Sequence, residues 1–102
     1  MKPSLTLAAL VLSTLAWTAQ AQTISPQQVR SWAAGCANCH GTDGQAQPGM
    51  VSLAGSAKAD TVQKMQDFKA GRRPATIMHQ LAKGYSDEQI EAIAAYFAAQ
   101  KK

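Results

Sequence analysis

Apolar positions along residues 22–102 recur at helical spacing, and alternation of the strand type is missing. Ser25 followed by Pro26 reads as an N-cap and a first helical residue. Val29 and Trp32 then lie three apart, which predicts a first helix ending near Gly35. Asp60 with Gln63 resembles a capping box, and Val62, Met65 and Phe68 share one face of a second helix that stops at Gly71. A short turn or helix is expected over 76–83, before Gly84. The last helix has the clearest start: Ser86 as N-cap, Asp87 and Glu88 in the first turn, and Gln89 closing a capping box. Ile90, Ile93, Ala94 and Phe97 form its buried stripe. Between the first two helices, Gly41, Asp43, Gly44, Pro48, Gly49, Gly55 and Ser56 punctuate a loop over 41–59. These caps and periods predict an all-α domain of three to five helices.

The first 21 residues follow a different pattern. Lys2 precedes an apolar stretch from Leu5 to Trp17, and Ala19-Gln20-Ala21 is a small-x-small site. This predicts a cleaved export signal over 1–21 and a mature domain over 22–102, exported to the periplasm. The apolar run falls short of the roughly 20 residues that a membrane-spanning helix needs.

Size then becomes a constraint. A mature chain of about 80 residues lies near the lower limit for a self-sufficient hydrophobic core. Two cysteines can form at most one disulfide, which excludes a disulfide-dense scaffold. Both fall within Cys36-Ala37-Asn38-Cys39-His40, a C-x-x-C-H string, the attachment signature of c-type haem. Two thiols three residues apart reach the two vinyl groups of one porphyrin, and the adjacent imidazole is held under the iron. Cys36 and Cys39 are therefore the expected thioether links and His40 the expected proximal ligand. The apolar ring supplies core area that the short chain lacks. A thioredoxin-type pair would need a βαβ setting, and zinc would need four ligands where only His79 remains. A plain disulfide is the remaining alternative.

The other ring nitrogen of His40 should donate to a backbone carbonyl in the following loop, near Val51. On the opposite face a Met thioether would raise the potential and close the iron to outside ligands. Met65 sits on an apolar stripe and reads as core; Met78, just ahead of the last helix, is the first candidate. His79, Met50 or an open position are the alternatives.

The strings C-A-N-C-H-G-T-D-G (36–44), L-A-G (53–55), F-K-A-G-R-R (68–73) and M-H-Q-L-A-K-G-Y-S-D-E-Q-I-E-A-I-A-A-Y-F (78–97) resemble small class I cytochromes c. The last block looks most like the cytochrome subunit of flavocytochrome c sulfide dehydrogenase. The resemblance runs from Cys36 to about Ala98 and implies one haem c, attached at Cys36 and Cys39 with His40 and Met78 as axial ligands. It also implies an FAD-containing partner that oxidises sulfide and passes electrons to this haem. Relatives often carry Pro where this chain has Val51, so the carbonyl is retained but the loop loses some stiffness.

Removing Lys2 with the signal leaves nine Lys+Arg against six Asp+Glu. Lys58, Lys64, Lys69, Arg72, Arg73 and Lys83 are candidates to ring a haem edge and steer an acidic partner, with a merely solvated surface as the alternative. Arg72 or Arg73 is a candidate partner for a propionate. His79, Tyr85, Trp32 and Tyr96 read as packing residues, and no basic stripe with interleaved aromatics points to nucleic acid. An electron-transfer subunit leads, ahead of a free-standing periplasmic carrier and of a haem enzyme or gas sensor with an open distal site.

Overall fold

The structure, a computed structural model, describes residues 22–102. The export signal expected over 1–21 lies outside the described residues. Four α-helices follow in order: α1 Pro26–His40, α2 Lys58–Lys69, α3 Met78–Ala82 and α4 Asp87–Ala98. A single 3-10 turn, Thr42–Gly44, interrupts the loop after α1. The expected all-α architecture is observed: no strand occurs among the described residues.

Helix α1 begins where the sequence places it. The Ser25 hydroxyl accepts from the Gln28 amide, and the Gln28 side-chain oxygen accepts from the Ser25 amide, completing a capping box. The helix does not end at Gly35. It runs on to His40 and is terminated by Gly41, whose φ of 84° no other residue type adopts cheaply. Gly35 keeps a right-handed helical backbone, because Cys36 is drawn onto the core and the next glycine supplies the stop.

Helix α2 also departs from expectation. It starts at Lys58 behind Ala57 with no side-chain cap, so Asp60 is a first-turn residue facing the positive helix end. Gln63 turns away from the N-terminus and donates to Asp67. Helix α4 matches its expectation, with Ser86 and Gln89 forming the capping box.

Packing is organised around α4. Helix α1 packs on α4, α4 on α2, and α2 on α3. Ile93 and Phe97 of α4 join Ala33 of α1 in one buried group; Ile90 of α4 joins Met65 of α2 and Ala82 of α3 in another. All four residues of the expected α4 stripe are buried, at 3% exposure or less. Tyr85, on the turn into α4, packs against both groups and ties them together.

Candidate functional site

The C-x-x-C-H motif forms the last turn of α1. Helical geometry places Cys36 and His40 four apart and so on one side, with Cys39 between them along the helix. Both thiols are free, which sets aside the plain disulfide. Cys36 is half-buried and packs against the Ala33–Ile93–Phe97 group, and its thiol contacts the Trp32 carbonyl oxygen at 3.7 Å. Burial pushes the Cys36 thiol up from its usual range, opposed by a hydrogen bond from its own backbone amide. Cys39 is exposed. Among the described residues no three His, Cys, Asp or Glu side chains gather around a common position, so a zinc ligand set is lacking.

The His40 imidazole is oriented by the loop that follows. Its Nδ1 lies 2.6 Å from the Val51 carbonyl oxygen, as the sequence leads one to expect. A carbonyl only accepts, so Nδ1 carries the proton and donates. Nε2 is then the nitrogen with a free lone pair, the tautomer that a metal-binding histidine needs.

Several local features hold Val51 in place. Gly41 and Gly44, at φ 84° and 80°, fold the chain back sharply after the helix. A Cβ on Gly41 would stand 1.9 Å from the Gln45 carbonyl oxygen, so only glycine fits. The Gly44 carbonyl accepts from both the Leu53 and Ala54 amides, at 2.8 and 3.1 Å. Between these ties, Gln47-Pro48-Gly49-Met50 forms a tight turn closed by the Met50 amide on the Gln47 carbonyl; Gly49 has φ 92°, as the third residue of a type II turn requires.

Of the distal candidates, Met78 and His79 belong to α3, which packs on α2. Met78 opens α3 and is half-buried against the Met65–Ala82–Ile90 group. His79, its neighbour, is half-buried as well. Met65 is a core residue, as its stripe predicts, and Met50 is exposed. Helices α1 and α3 share no hydrogen bond among the described residues; α4 and Tyr85 connect the Cys-bearing and Met-bearing parts.

The large hydrophobic side chains left exposed are Met50, Val51, Ile77 and Leu81, at 46–64% exposure. Val51 carries the His40 acceptor and Met50 precedes it, while Ile77 and Leu81 belong with Met78 to α3 and its N-cap. Four such side chains beside the two candidate ligands suit a large apolar plate and are otherwise unfavourable in water. The donor set fits as well: two free thiols at the motif spacing, and an imidazole with Nε2 available. The residues present therefore fit a covalently held iron porphyrin.

The charged residues divide differently from the sequence-based grouping. Lys58 pairs with Glu91 at 2.8 Å, Lys69 with Asp87 at 3.4 Å and Arg72 with Asp67 at 2.9 Å. Lys69 also donates to the Tyr85 carbonyl at 2.6 Å. The Arg73 guanidinium lies over the Phe68 ring, 5.7 Å from its centroid. Four of the six expected cations, Lys58, Lys69, Arg72 and Arg73, are thus engaged within the molecule. The Arg72 hydrogen bond, with that of Gln63, holds the Asp67 carboxyl below its ordinary range; Gln66 and Lys69 do the same for Asp87.

An all-helical domain wrapped on a C-x-x-C-H helix, with an oriented imidazole and an apolar rim, defines a haem-binding protein of the electron-transfer class. The Cytochrome c family profile matches residues 27–101, and the chain belongs to that family. Its cofactor is accordingly haem c, an iron porphyrin attached covalently, and its role is electron transfer. The chain is 44% identical over 62 residues to the cytochrome subunit of sulfide dehydrogenase from Chlorobaculum tepidum, covering 61% of this chain and 56% of that protein. It is 41% identical over 91 residues to the thiosulfate dehydrogenase electron acceptor of Stutzerimonas stutzeri, covering 86% of this chain and 42% of that one. A solved structure of Acidithiobacillus ferrooxidans cytochrome c4 superposes with a TM-score of 0.64 at 28% identity, over 78% of this chain and 54% of that chain. The chain thus spans about half the length of these relatives.

Proposed function

We propose that residues 22–102 form a periplasmic monohaem cytochrome that accepts electrons from an FAD-containing, sulfide-oxidising subunit, after removal of residues 1–21 as an export signal. Cys36 and Cys39 form the thioethers, His40 is the proximal ligand and Met78 the distal one. The observation that carries the ligand assignment is the bond from His40 Nδ1 to the Val51 carbonyl oxygen. It commits the imidazole to the tautomer that a metal ligand needs, directly after two free thiols at the attachment spacing.

The haem supplies one-electron chemistry at iron, the step a two-electron flavin donor needs taken twice. The chain does the rest. The last turn of α1 fixes the plane of attachment, and Val51 keeps the His40 proton on Nδ1. Met78, seated on the Met65–Ala82–Ile90 group, offers a thioether that favours the reduced state. Met50, Val51, Ile77 and Leu81, exposed apolar side chains, would shield a bound ring from water. Electron transfer is the role of its family, so the chain by itself acts as an electron carrier.

The partner assignment rests on the similarity to the Chlorobaculum tepidum cytochrome subunit. A second reading, a free-standing carrier between periplasmic redox proteins and a terminal oxidase or reductase, draws on the Stutzerimonas stutzeri acceptor, which aligns with more of the chain. Mass spectrometry of the secreted protein should show one haem and a chain beginning at Gln22. Mixed with sulfide, the oxidised protein should be reduced on the stopped-flow timescale only when the flavoprotein subunit is added. Equal reduction by several unrelated donors, with no stable flavoprotein complex, would establish the carrier reading instead.

A further inference from the structure

The loop that supplies the His40 acceptor is not held by backbone bonds alone. The Ser52 hydroxyl accepts a hydrogen bond from the Ala46 amide at 3.0 Å. Ser52 directly follows Val51, whose carbonyl meets His40 Nδ1. The bond joins the two ends of the Gln47–Met50 turn, so residues 46–52 close into a small ring of their own. Within that ring Val51 is 64% exposed, and its amide makes no backbone hydrogen bond. Its peptide plane therefore has little packing to fix it. On the chain side before it stands the turn; on the side after it stands Ser52, and then the Leu53 and Ala54 amides on Gly44.

We infer that Ser52 is a positioning residue for the proximal histidine: by bonding the Ala46 amide, it fixes the Val51 carbonyl in line with His40 Nδ1–H. The bridge is short and local. Without it, the stretch from Met50 to Leu53 turns about two backbone angles at Val51 and two at Ser52, and the carbonyl spends part of its time facing water. The imidazole then loses its acceptor for the same fraction of time, and with it the partial negative charge that strengthens it as a ligand. The hydroxyl is required for this and its size is not, because Ser52 is exposed and an added methyl group meets solvent.

The inference rests on His40 being the proximal ligand only for its consequence at iron; the clamp on the carbonyl is a property of the loop. The experiment separates the two. Holoprotein labelled with nitrogen-15 at histidine and backbone is prepared as wild type, Ser52→Ala and Ser52→Thr, in the reduced form. Solvent exchange is followed at His40 Nδ1–H and at the Ala46, Leu53 and Ala54 amides, and the reduction potential is measured by redox titration. In Ser52→Ala, exchange at Nδ1–H and at Ala46 should quicken about fivefold, the factor expected for one lost hydrogen bond. Leu53 and Ala54 should keep their rates, the potential should fall, and Ser52→Thr should restore wild-type behaviour. Faster exchange at Ala46 with Nδ1–H unchanged would overturn the inference, as would an equal quickening of all four protons, which marks general loosening. A displaced potential with unchanged Nδ1–H exchange would overturn it too. If exchange responds as expected while wild-type spectra lack histidine ligation, the clamp stands and the ligand assignment fails.

Discussion

Two glycines in α1 and its exit behave oppositely, although the sequence presents them alike. Gly35 has helical backbone, and an added Cβ meets only the Tyr85 hydroxyl at 3.8 Å, an ordinary contact. Gly35→Ala should stabilise the protein by about 0.5–1 kcal/mol, since alanine loses less backbone entropy in a helix. Gly41→Ala meets both a positive φ and a 1.9 Å overlap with backbone; it should lower stability by at least about 2 kcal/mol and disturb the His40 acceptor loop. Thermal melting of the two holoproteins checks both signs. At the proposed distal ligand, Met78→Ala should leave haem attached, lower the potential and let carbon monoxide bind the reduced protein on mixing. Failure of carbon monoxide to bind would return the distal assignment to His79 or Met50. The C-x-x-C-H motif, the Val51 acceptor and the core role of Met65 were legible because each follows from short-range chemistry. The pairing of Lys58 with Glu91 was not, since it depends on how α2 meets α4 and no local signal encodes that crossing.

At the scale of elements, caps decide which boundaries could be read. Ser86 and Gln89 form a reciprocal pair, and the start of α4 follows directly from the sequence. Ser86→Ala should cost about 1 kcal/mol, a fall in melting temperature of roughly 4–8 °C for a domain this small. Helix α2 has no such cap, and its first residue was misplaced by the resemblance of Asp60 and Gln63 to one. The end of α1 was misplaced because a glycine stops a helix only when its φ is positive, which the residue type permits and does not dictate. The buried stripe of α4 was fully legible, as periodicity alone fixes which face is apolar. Phe97→Ala, in the Ala33–Ile93 group, should cost about 3–5 kcal/mol, enough to leave a domain of this size mostly unfolded in calorimetry without its haem.

For the molecule as a whole, electrostatics set the acid limit. Asp67 and Asp87 are held below their ordinary value of 3.8 by hydrogen bonds first and nearby cations second. The folded state thus binds these protons less tightly than the unfolded chain, so the stabilisation is in place above about pH 4 and disappears as pH falls through the lowered values. Melting temperature should drop across that acid range, and Asp87→Asn should make the drop shallower while losing the Lys69 pair; an unaltered acid limb would count against this account. Both carboxyls are surface groups, so added salt should weaken the effect.

Helix α4 completes both buried groups, yet it is the last of the four helices to leave the ribosome. Until it arrives, Ala33 lacks the Ile93 and Phe97 side chains that bury it and Met65 has only Ala82 of its buried group, so neither group is complete. The two thiols, made much earlier, remain within reach of whatever chemistry is to modify them. Order of synthesis thereby gives the attachment step its opportunity before the interior seals.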